Sequence, residues 1–137
     1  MMHPMAEGRF VTVIACIDGR VQAPLAEWAK KTFSADWADM VTRPGCDGVL
    51  GEESAAGASQ VRDDVGVSVR AHSPVAVVVS GHHDCAANPG TQDHHEFQIR
   101  NAVAQVERWD PGVPVVGVWV GEDWQVHPVT DVESSAR

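Results

Sequence analysis

The chain has no tyrosine, only three cysteines, and nearly twice as many acidic as basic residues. No apolar run approaches the roughly 18 residues of a membrane-spanning helix, which argues against a membrane protein. The start, MMHPMAEGRF, has no extended apolar segment followed by a cleavage pattern, which argues against a secretory signal. Three cysteines are too few and too odd for a disulfide framework, and they point to a reducing, cytoplasmic setting. Ten Lys and Arg against 19 Asp and Glu give a net charge of -9, which opposes a phosphate-tracking surface and so a nucleic-acid partner. The sequence also lacks a P-loop and has no G-x-G-x-x-G after its first strand, so nucleotide chemistry has no support. At 137 residues it fits one domain, 1–137, with no internal repeat. What remains unusual is seven histidines, several of them close to cysteines.

The hydrophobic pattern alternates strands with helices. The runs 10–17 (FVTVIACI), 75–80 (VAVVVS) and 115–120 (VVGVWV) are apolar and β-branched, as in strands buried on both faces. A less apolar strand is expected over 37–42 and a short final one over 125–129. Helical spacing covers 22–33, with Leu25, Trp28, Ala29 and Thr32 near one face and Pro24 in the first turn. It recurs over 52–72, with Ala58, Val61, Val65 and Val69, although Gly57 and Gly66 weaken it. A third helix carries Ile99, Ala102, Val103 and Val106, with Asp93 and Glu96 as its capping pair. Residues 44–48 read as a turn, and the final DVESSAR as a frayed tail.

The order β-α-β-α-β-α-β-β predicts an α/β three-layer sandwich around a mostly parallel sheet. With the apolar strands central, the sheet order becomes 2-1-3-4 with a short extra C-terminal strand. Right-handed crossovers place the first and second helices on opposite faces. Ligands in such sheets sit at the carboxyl ends of strands where the order reverses, here between the first and third.

Two polar motifs fall at that point: Cys16-Ile17-Asp18-Gly19-Arg20 after the first strand and Gly81-His82-His83-Asp84-Cys85 after the third. Two thiolates and an imidazole suit zinc, and a Cys2His set leaves the fourth tetrahedral position open, the pattern of a catalytic site. The expected ligands are Cys16, His82 and Cys85; the adjacent His83 could shift the register, but the H-x-x-C spacing favours His82. Paired with Arg20, Asp18 stays ionised and can orient a zinc-bound hydroxide. If that pairing broke, the same carboxylate could fill the open position. Without the cysteines, the pair reads simply as an ion pair bracing a turn.

With C-x-D-x-R and H-x-x-C both in place, the sequence resembles the β-class carbonic anhydrases from about Phe10 to Val120. The resemblance implies zinc ligation by Cys16, His82 and Cys85, an orienting dyad of Asp18 and Arg20, and a homodimer or higher homo-oligomer with sites near the subunit interface. Thr42-Arg43-Pro44-Gly45 is similar to the family's Arg-Asn-Ala-Gly segment. The chain departs from the family in having Ala86 where a glycine follows the second cysteine, and only 15 residues before Cys16, where the family carries a helical arm.

The expected reaction is zinc-hydroxide attack on carbon dioxide to give bicarbonate, with His83 or His94 relaying the proton. Carbonyl sulfide or carbon disulfide hydrolysis fits the same ligands, and a non-catalytic zinc- or bicarbonate-binding protein is the reading from a different class. Cys46 is expected to be an ordinary cysteine, in a glycine-rich turn over 45–48 that could offer N–H groups to an anion. His94 and His95 open a helix near the loop after Cys85 and read either as proton shuttles or as exposed first-turn histidines without a task, and Trp28 and Trp119 read as core residues. No pattern surrounds His3, His72 or His127.

Overall fold

The computed structural model describes residues 7–52 and 55–132. Along the chain it runs β1 (Phe10–Ala15), α1 (Gly19–Thr32), β2 (Trp37–Thr42), α2 (Cys46–Gly51), α3 (Ala55–His72), β3 (Val77–His82), α4 (Gln92–Arg108), β4 (Val115–Val120) and β5 (Val126–Pro128). The strands form one five-stranded sheet in the order β2-β1-β3-β4-β5. All neighbours are parallel except β5, which returns antiparallel along β4. This is the expected 2-1-3-4 sheet with its extra C-terminal strand.

Alternation along the strands divides the core in two. Val11, Val13, Val78, Val116 and Val118 face α1, whose Val21, Leu25 and Ala29 recur every four residues. Ile14, Val41, Val77 and Val79 face the other way, against α2, α3 and α4. The first and second expected helices (α1 and α3) therefore lie on opposite faces, as the crossover rule requires. Among the described residues no helix is long and apolar enough to cross a membrane.

Several local expectations need correction. The first helix starts at Gly19 and not at Gln22, because the Asp18 side chain accepts the Arg20 N–H and caps it. Asp-Gly is both a turn signal and a good helix start, and here the cap decides; Pro24 then lies in the helix interior and not in its first turn. Residues 46–51 form a short helix where a turn was expected. Its composition, CDGVLG, has poor helix propensity, but packing overrides it. A Cβ on Gly51 would lie 2.5 Å from the Gln98 carbonyl oxygen, so glycine allows α2 to press onto α4.

The third strand ends at His82 and not at Ser80, because β4 continues to pair with it through His82↔Val120. The cap of α4 is Thr91, which accepts the His94 N–H at 3.2 Å, and not Asp93 with Glu96. Finally, Val132 in the expected tail is buried against the α1-side core; residues 133–137 and His3 lie outside the described residues.

Candidate metal centre

The first strand was expected to reach Ile17, but β1 ends at Ala15. Cys16 is thus the first residue beyond it, and the chain turns at once into the Asp18 cap. The turn is fixed by the Gln22 side-chain amide, which donates to the Cys16 carbonyl at 2.5 Å. On the neighbouring strand, His82 is the last residue of β3, and Cys85 follows three residues later. The parallel β1–β3 pairing brings these ends side by side. The ligand atoms of Cys16, His82 and Cys85 all lie within 4.8 Å of one another, and all three residues are buried.

The donor set fits a metal ion. Two sulfurs on one tetrahedral zinc, each at about 2.3 Å, would lie roughly 3.8 Å apart; Cys16 Sγ and Cys85 Sγ are separated by 4.0 Å and are free thiols. His82 Nδ1 is 2.8 Å from the His83 carbonyl, which can only accept, so Nδ1 carries the hydrogen and Nε2 the lone pair. That Nε2 is the one buried side-chain polar atom without a partner among the described residues. An unpaired buried acceptor is costly, and here a cation would satisfy it.

Asp18 and Arg20 meet as expected from their spacing. Arg20 Nε donates to Asp18 Oδ1 at 3.0 Å and Nη2 to Oδ2 at 2.6 Å, and the Arg20 main-chain N–H adds a third bond at 2.9 Å. Those bonds, the side-chain ones foremost, hold the Asp18 carboxyl far below the usual carboxylate range. Asp18 stands apart from the three-ligand group and is committed to Arg20.

The relay candidates stand outside the ligand group. His83 is exposed, and its ring packs edge-on to Trp124 at 6.1 Å. His94 is also exposed, with Nε2 3.4 Å from Glu52 Oε1. His95 departs from expectation: it is 1% exposed, and its Nδ1 donates to Asp47 Oδ2 at 2.5 Å. Asp47, in the segment expected to be a glycine-rich turn, is itself buried and accepts from Gly48 N–H and the Asn88 amide. His95 falls four residues before Ile99 on the apolar face of α4, and that spacing is the signal that could have placed it inside.

Cys46 is buried, and its thiol donates to the Ser80 carbonyl at 3.2 Å, in keeping with an ordinary cysteine. Trp119 is buried and Trp28 partly so. His72 has a partner that no motif indicated: Nδ1 lies 2.6 Å from Asp39 Oδ2. His127 likewise pairs with Asp123 at 3.1 Å.

Ionisation of the thiols carries a testable consequence. Burial first, then the adjacent Cys16, pushes the Cys85 thiol from 9.0 up to about 11, and burial pushes Cys46 well above 9.0. The folded metal-free protein therefore keeps protons that the unfolded chain releases. Stability present below pH 9 is lost as pH rises from there through about 11. Thermal unfolding of chelated protein across this window should show a falling Tm. The fall should be smaller with zinc, which takes Cys85 already deprotonated. A flat profile in the chelated protein would contradict the assignment.

Comparison with known proteins agrees with the geometry. A family described as "putative carbonic anhydrase" matches residues 6–130. The fold superposes on the β-carbonic anhydrase isoform I of Trichomonas vaginalis with a TM-score of 0.62 at 13% identity, covering 96% of this chain and 88% of that one. A tetrameric β-carbonic anhydrase of Sordaria macrospora gives 0.51 at 13% identity, covering 92% and 83%. No curated protein matches the sequence significantly. Two free thiols and an unpartnered imidazole nitrogen at the β1–β3 switch point thus occur on the fold of the β-carbonic anhydrases, and the family match over residues 6–130 shows that the chain belongs to the carbonic anhydrase family.

Proposed function

We propose that this protein is a zinc-dependent carbonic anhydrase that converts carbon dioxide and water to bicarbonate and a proton. The observation that carries the reading is His82 Nε2, buried, unpartnered and grouped with two free thiols. Cys16, His82 and Cys85 would hold the ion. When bound, zinc supplies the Lewis acidity that makes water nucleophilic near neutral pH.

The chain's own residues do the rest. Asp18, kept ionised by Arg20, accepts a hydrogen bond from the attacking oxygen and so aims its lone pair at the carbon of the substrate. Arg20 withholds that carboxylate from the metal position, which keeps the position available to water. The exposed His83 is next to His82 in sequence and passes the released proton to solvent, with His94 as a second carrier. The cytoplasmic setting, and assembly as a homodimer or higher homo-oligomer, belong to the same proposal. The free thiols support the first, and the tetrameric Sordaria macrospora neighbour supports the second.

The test is metal analysis of freshly purified protein, followed by parallel assays of carbon dioxide hydration and of sulfide release from carbonyl sulfide. Zinc near one per chain with hydration is the expected result. Zinc with sulfide release alone would move the substrate to the sulfur analogues, and zinc with neither reaction would make the protein a binder. Asp18→Ala should keep its zinc and lose hydration by roughly 100-fold, the scale of a lost positioning group. Full activity in that variant would remove Asp18 from the mechanism.

A further inference from the structure

Arg20 is engaged on three sides. Beyond Asp18, its Nη1 donates to Asp84 Oδ2 at 3.1 Å and its Nη2 to the Asp84 carbonyl at 3.1 Å. One guanidinium therefore ties the turn after Cys16 to the loop between His82 and Cys85. The same group lies over the Trp124 ring, with Cζ 4.5 Å from the ring centroid. Trp124 comes from the turn between β4 and β5, which contributes no member of the ligand group.

That tryptophan is held in place. Its main-chain N–H donates to the Gly121 carbonyl at 2.9 Å, its ring meets His83 edge-on at 6.1 Å, and its backbone is left-handed at φ 58°. A bulky residue enters that region only where surrounding structure enforces it. The Arg20 side chain is 46% exposed, so its long stem would otherwise sample several rotamers. The indole face removes that freedom while attracting the cation.

We propose that Trp124 is a positioning residue for the Asp18–Arg20 pair. Its ring fixes the guanidinium in the orientation that binds both Asp18 oxygens and Asp84 together, and this keeps Asp18 from turning onto the metal. The inference rests on the metal-site reading above. Asp18 has two resting places, on Arg20 or in the open position, and Trp124 biases the choice without touching substrate. Asp84 competes with Asp18 for the same guanidinium, so loss of the ring leaves the group held at its edge alone and free to tilt from Asp18 toward Asp84.

The experiment uses cobalt-loaded protein, with azide binding at the open position followed by visible absorption. Trp124→Phe keeps an aromatic face; Trp124→Leu fills similar space without one, with Trp124→Met as the alternative should the leucine variant not fold. Trp124→Phe should bind azide within about threefold of wild type. The aliphatic variant should bind it at least about fivefold more weakly, because Asp18 competes for the position. Adding Asp18→Asn to the aliphatic variant should restore azide binding while leaving hydration low, a rescue that general damage to the site would not give. Equal azide affinity in wild type, Trp124→Phe and the aliphatic variant overturns the proposal, as does failure of Asp18→Asn to rescue. A wild-type protein that takes up no cobalt defeats the metal-site reading and this inference together; normal uptake with an insensitive Trp124 defeats only the inference.

Discussion

His82→Ala should leave the protein folded but without zinc, and carbon dioxide hydration should fall by at least about 1,000-fold. The size follows from the several kcal/mol of charge stabilisation that a Lewis-acid metal supplies, each ~1.36 kcal/mol being worth tenfold in rate. Two thiolates alone leave the ion with only two protein ligands, and an ion without its imidazole is readily lost to a chelator. The effect on stability is less intuitive. In the metal-free protein His82 Nε2 is a buried acceptor with no partner, so removing it also removes a desolvation cost that offsets part of the cavity created. Metal-free wild type and variant should therefore melt at similar temperatures. With zinc, wild type gains about 4 kcal/mol at a free concentration 1,000 times Kd, and the variant gains almost nothing. Calorimetry with and without chelator separates the cases. A variant that still melts higher with zinc would show that the metal does not depend on His82.

The sheet could be read from sequence because its strands leave little choice. Val115–Val120 and Trp37–Thr42 were expected with the bounds they have, the first because a β-branched run between turn residues admits one assignment, the second because it lies between a helix and the turn at Pro44-Gly45. Once crossovers are right-handed, the switch point follows, and with it the meeting of Cys16 with His82 and Cys85. Short-range signals were weaker wherever distant residues decided between alternatives. Asp18-Gly19 serves equally as turn or cap, and Thr91 and Asp93 both suit the start of α4. Asp47 and Cys46 looked like part of a turn because nothing nearby in sequence supports a helix of CDGVLG; its support comes from α4, some 50 residues later. The partner of His95 was hidden for the same reason, since Asp47 is 48 residues away. Trp124 left no trace in any motif, because its contact with Arg20 exists only once β5 has folded back along β4.

His95→Leu should cost about 3 kcal/mol, which for a chain of this length lowers Tm on the order of 10 °C. Leucine nearly conserves volume, so the loss isolates the buried pair from a packing defect. Asp47 is 2% exposed, and without the imidazole its carboxylate stays desolvated with only Gly48 N–H at 3.1 Å and the Asn88 amide at 3.0 Å as donors. Those two bonds place the cost toward the low end of the 3–5 kcal/mol range for a broken buried pair. Relaxation toward solvent is blocked, because Asp47 Oδ2 lies against the backbone of Gly81; a Cβ there would sit only 2.2 Å from it. Adding Asp47→Asn should recover at least half the loss, since a neutral amide is cheaper to bury. The metal centre should register the change too. The α2 start that carries Asp47 also gives the Gly45 N–H to Cys16 Sγ at 3.4 Å and the Cys46 thiol to Ser80, two residues before His82. Loosening it should weaken zinc binding by about 10- to 100-fold, the scale for supports just beyond the ligands. A His95→Leu protein that melts within 2–3 °C of wild type and holds zinc equally well would mean that the pair is incidental to both the fold and the site.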